Sequence, residues 1–106
     1  MFDEDSAQLR KQQRFLHEVE VAIRDANRQI IHERIPDLDR QRFVTFATFV
    51  ARLRADYLAE ALAVQKAPDQ VQAVESLRRR RRAYAEARDA FAALERAVER
   101  GYVDIG

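Results

Sequence analysis

The sequence predicts an all-α protein: three long helices in an up-down-up antiparallel bundle with short connections. Three observations carry this. Two glycines and two prolines are the only strong breakers in 106 residues, and apart from the terminal Gly106 they fall at three places, Pro36, Pro68 and Gly101. Alanine and arginine, both strong helix formers, are the commonest residues. Between the breaks, apolar residues recur every seven positions, and no strand-like alternation competes with them.

The first helix is expected over about residues 6–35. Asp5 is its expected N-cap, with Gln8 three residues on completing a weak capping box. Pro36 ends it by pushing Ile35 out of the α region. Leu9, Leu16, Ile23 and Ile30 form its heptad seam, with Val19 and Ala26 between them.

The second helix is expected over about residues 39–66. Asp39 is the N-cap, and Leu38 and Phe43 have the spacing of a hydrophobic staple. Phe43, Val50, Tyr57 and Val64 make the seam, joined by Phe46 and Leu53. The third helix, over about residues 69–100, starts at Pro68 or Asp69, where the missing proline N–H costs no bond. Its seam is Leu77, Tyr84, Phe91 and Val98, with Ala87 and Leu94, and Gly101 suits the left-handed position that closes it.

Helices of roughly 30 residues are about 45 Å long. Connections of a few residues cannot carry the chain back along that length, so sequential helices run antiparallel. The whole chain is expected to form one helical-bundle domain. The apolar residues after Gly101, namely Tyr102, Val103 and Ile105, are expected to fold back over the end of the bundle.

Lys+Arg 19 against Asp+Glu 18 leave a net charge of +1, so any electrostatic site must be local. The absence of cysteine excludes disulfides, thiolate metal sites and cysteine nucleophiles. Met1–Ser6 is acidic where a signal peptide would be basic, and the longest uncharged run, Phe43–Ala51, is too short to span a bilayer. No membrane role is expected, and the expected compartment is the cytoplasm.

The second helix carries more apolar surface than one seam needs. Ala51, Ala55, Leu58 and Leu62 lie on a flank about 100° from the seam. Either this helix sits between both neighbours within one chain, or the flank meets a second copy around a two-fold axis. The functional expectation is a protein–protein interaction or assembly module that forms a homodimer through these four residues.

Glu20 beside the first seam, Arg54 on the second helix and Arg80 on the third fall at one level of an antiparallel bundle. They are expected to form a buried polar layer in which Glu20 pairs with Arg54 or Arg80. Arg80 belongs to the run Arg78–Arg82. In a helix these five side chains fan around the axis, and Glu75–Arg79 and Glu86–Arg82 have pairing distance. Arginine also outnumbers lysine 17 to 2, which makes a run of it weak evidence for function. A nucleic-acid module with Arg78, Arg79, Arg81 and Arg82 on phosphates is therefore the second reading.

A small enzyme with a site between helices is the third reading. No catalytic, cofactor-binding or metal-ligating residues stand out. His17 and His32 lack the Glu-x-x-His spacing of metal sites in bundles, and no phosphate loop or nucleophile motif is present.

Overall fold

The structure, a computed structural model, describes the backbone of residues 2–105 and the side chains of residues 3–105. The chain is all-α. Its helices are α1 (Phe2–Arg34), α2 (Arg40–Ala63, followed by a 3₁₀ turn Val64–Lys66) and α3 (Gln70–Glu99). No strand occurs among the described residues. The chain divides into two compact units, residues 39–96 and residues 1–38 with 97–106.

Residues 39–96 form an antiparallel helical hairpin. Asp39 caps α2 as expected, its carboxylate accepting from the Arg42 amide at 2.9 Å. Asp69 caps α3 in the same way, through the Gln72 amide at 3.1 Å. Between the helices Ala67 is extended, at ψ 140°, because Pro68 follows it. That single extended residue and the 3₁₀ turn before it shorten α2 by three residues against the expected Lys66 end.

The hairpin is held by the two predicted seams. Phe91 meets Phe43 edge-on at 6.3 Å between ring centroids and stacks on Phe46 at 6.1 Å. Further along, Tyr57 stacks on Tyr84 at 6.0 Å. As α2 advances its partners on α3 recede, which fixes the antiparallel sense. Val50 and Ala87 are the buried apolar residues; Phe43, Leu53, Tyr57, Leu77, Tyr84, Phe91 and Leu94 are half-buried. Two helices share only one interface, so each keeps much of its circumference exposed.

The other unit joins α1 to the C-terminal segment. α1 begins at Phe2, so Asp5 lies inside its first turn rather than capping it. Asp3, Glu4 and Asp5 together oppose the positive end of the helix dipole, and no breaker stops the helix from extending past Asp5. At the other end Ile35 lies outside the helix, as Pro36 requires.

Gly101 takes the left-handed conformation, φ 75°, and the Gly101 and Tyr102 amides donate to the Val98 and Ala97 carbonyls. The chain after it folds back on α1. Tyr102, Val103 and Ile105 are half-buried, and Asp104 pairs with Arg28 at 3.7 Å. The face of α1 that receives this segment includes Arg24, Arg28 and Ile31, with Ile35 just beyond the helix end. The heptad seam lies elsewhere on the helix. Leu9, Leu16, Ile23 and Ile30 are 58, 58, 48 and 54% exposed.

Candidate interaction surfaces

A polar group interrupts the hairpin seam at Glu60. This residue stands seven positions after Leu53, which puts it on the inner stripe of α2. Opposite it on α3 are Ser76, whose hydroxyl donates to one carboxylate oxygen, and Arg80, whose Nε donates to the other at 2.9 Å. Arg80 also reaches Asp56 at 3.9 Å. The Ser76 and Arg80 hydrogen bonds hold the Glu60 carboxyl below its ordinary pKa.

One turn toward the aromatic end, Arg54 donates from Nε to the Tyr84 hydroxyl at 3.0 Å. The guanidinium groups of Arg54 and Arg88 each lie 5.3 Å from the Tyr84 ring centroid. The Arg54 hydrogen bond lowers the Tyr84 phenol from its ordinary pKa.

Within the hairpin the two arginines of the expected layer have partners of their own: Arg80 takes Glu60 and Arg54 takes Tyr84. Glu20 is exposed, and no charged residue is buried among the described residues. The physical reason is register. Glu60 stands on the stripe that Arg80 faces, so the ion pair closes within the hairpin. Asp56 likewise meets Arg80.

The depressed pKa has a sign. Glu60 contributes stability above its unfolded-state pKa, near 4, and that contribution disappears as pH falls through the lower folded value. Urea midpoints at neutral pH and near pH 3 should therefore drop further for the native chain than for Glu60→Gln. Equal drops would show that the pair contributes nothing.

The arginine run is helical throughout, and Arg78, Arg79, Arg80, Arg81 and Arg82 are all exposed. The seam position, Arg80, turns inward to Glu60. Arg78 and Arg82 lie on the opposite side of α3, with Arg79 and Arg81 on its two flanks. Neither Glu75–Arg79 nor Glu86–Arg82 forms an ion pair among the described residues.

The flank of α2 is open. Ala51 and Ala55 are exposed, and Leu58 and Leu62 are 54 and 74% exposed; Val44 extends the same stripe toward the start of the helix. His17 and His32 are exposed, and no group of acidic or histidine side chains suited to a metal occurs among the described residues. A cleft of about 560 Å³ lies between the last turn of α1 and the C-terminal segment, but its charged groups Arg28 and Asp104 pair with each other. No helix among the described residues is long and apolar enough to cross a membrane. No protein family, curated protein or solved structure matches the chain.

Proposed function

We propose that this chain is a helical assembly module that pairs with a second copy through the exposed flank of α2. The carrying observation is the stripe Val44, Thr48, Ala51, Ala55, Leu58 and Leu62, which follows alternating steps of four and three residues along one side of the helix. Its sizes are arranged symmetrically about residue 53. In an antiparallel pair of α2 helices Val44 meets Leu62 of the second copy, Thr48 meets its Leu58, and Ala51 meets its Ala55. Small residues at the centre permit close approach, and larger ones close the ends.

The rim has matching charge. Arg52 and Asp56 share one flank of the stripe, so the same two-fold axis sets each Arg52 opposite the other copy's Asp56. Sedimentation velocity at micromolar protein tests the premise: reversible self-association that Leu58→Glu weakens is expected, and a monomer at every concentration overturns it.

The nucleic-acid reading is disfavoured by the fan of the arginines, the +1 net charge and the inward turn of Arg80. Titration with labelled single-stranded and duplex oligonucleotides at physiological salt should show dissociation constants no tighter than the non-specific range of about 10⁻⁴ to 10⁻⁶ M. A nanomolar complex would make Arg78, Arg79, Arg81 and Arg82 a phosphate-binding surface.

A further inference from the structure

α1 presents an apolar stripe of its own, separate from the flank of α2. Leu9, Leu16, Ile23 and Ile30 occupy one heptad position, and Gln12, Val19 and Ala26 the intervening one. The residues bordering them on the helix wheel are Gln8, Phe15, Ala22 and Gln29 on one side and Gln13, Glu20 and Asn27 on the other. Over residues 8–30 this broad face holds one charged side chain, Glu20. The remaining positions carry Arg10, Lys11, Arg14, His17, Glu18, Val21, Arg24, Asp25 and Arg28, six of them Arg, Lys or Asp and one Glu. Depletion of charge around an apolar seam is the mark of an interface core rather than of a solvated helix face.

We infer that α1 pairs in parallel and in register with α1 of a second copy. Three observations select this occupant. The C-terminal segment already packs on α1 at Arg24, Arg28 and Ile31, about 120° round the helix, and leaves the heptad face open.

The exposed apolar surface of Leu9, Phe15, Leu16, Val19, Ile23 and Ile30 is on the order of 600 Å² per copy, or roughly 1,200 Å² for a pair, which reaches the lower bound of stable interfaces.

Register then chooses the direction. A parallel pair stacks Leu9, Leu16, Val19, Ile23 and Ile30 each on its own counterpart, lets Gln12 bond Gln12, and sets Glu20 beside Phe15. The antiparallel registers either oppose Glu20 to Glu20 and Ile30 to Asp5, or place Leu9 on Glu33 and Ile30 on Gln12.

The chain has no cysteine, so one introduced thiol reports one position. Ala26→Cys places it at the seam without removing a large side chain, and Arg10→Cys places it on the outer face. With a short bismaleimide, Ala26→Cys should give covalent dimer at several times the yield of Arg10→Cys, because only in the parallel register does residue 26 meet itself. Equal yields would overturn the inference.

Adding Ile23→Glu to Ala26→Cys should reduce the yield to that of Arg10→Cys with far-UV helicity retained; an unchanged yield would also overturn it. Repeating the Ala26→Cys reaction with Leu58→Glu present separates this surface from the flank of α2. The expected yield is unchanged, and loss of the cross-link there would show that α1 has no pairing of its own.

Discussion

Phe91→Ala should destabilise the protein by about 3 kcal/mol, near the lower end of the range for removing a core phenylalanine. Phe91 carries the aromatic end of the hairpin. It is the one ring on α3 that meets both Phe43 and Phe46, so its loss empties the space between two rings that have no other aromatic partner on α3 among the described residues. Because Phe91 is half-buried, part of the vacated space is filled by water and the cost stays near the bottom of the range. The contrasting substitution is Val71→Ala on the same helix, where the side chain is 77% exposed and alanine has the better helix propensity. Urea unfolding followed by far-UV circular dichroism should give a clear fall in midpoint for Phe91→Ala and none for Val71→Ala. Equal midpoints would mean that the aromatic cluster does not hold α2 to α3.

The parts of this fold that were legible in the sequence are those set by local chemistry. Asp39, Asp69 and Gly101 end or start helices through hydrogen bonds and backbone angles that depend on a few neighbouring residues. The seams of α2 and α3 were legible for a related reason: a seven-residue repeat places side chains on one face whatever the partner. The start of α1 was not, since Asp5 has the chemistry of a cap and equally that of an acidic first turn, and only the residues before it decide.

The polar centre of the hairpin was harder still. Arg80 was visible as a cation on an apolar stripe, and heptad arithmetic places Glu60 on the facing one. Choosing Glu60 over Glu20 needs the register between helices, which no single-helix pattern contains. The i,i+4 pairs suggested for Arg79 and Arg82 did not form. Exposed pairs of that kind are worth only a few tenths of a kcal/mol, too little to hold long side chains in one place.

Leu58→Glu should have the largest effect on assembly. Around a two-fold axis the substitution enters the interface twice, and each carboxylate would be desolvated against Thr48 and the alanines of the other copy, while Arg54 one turn back is engaged with the Tyr84 hydroxyl. Leu58 is more than half exposed within the chain and makes no contribution to the hairpin seam, so the variant should keep its helicity and its urea midpoint at low protein concentration. Association through the flank should weaken by at least 100-fold, on the basis that an uncompensated buried charge costs about 3 kcal/mol or more.

Sedimentation equilibrium of the native chain and Leu58→Glu, side by side over the same micromolar range, tests the role of the α2 flank most directly. The α1 pairing is removed from both by Ile23→Glu, so that only this surface is read. A dimer is expected for the parent and a monomer for the chain carrying Leu58→Glu; a monomer in both, or a dimer that Leu58→Glu leaves intact, would rule out pairing through this flank.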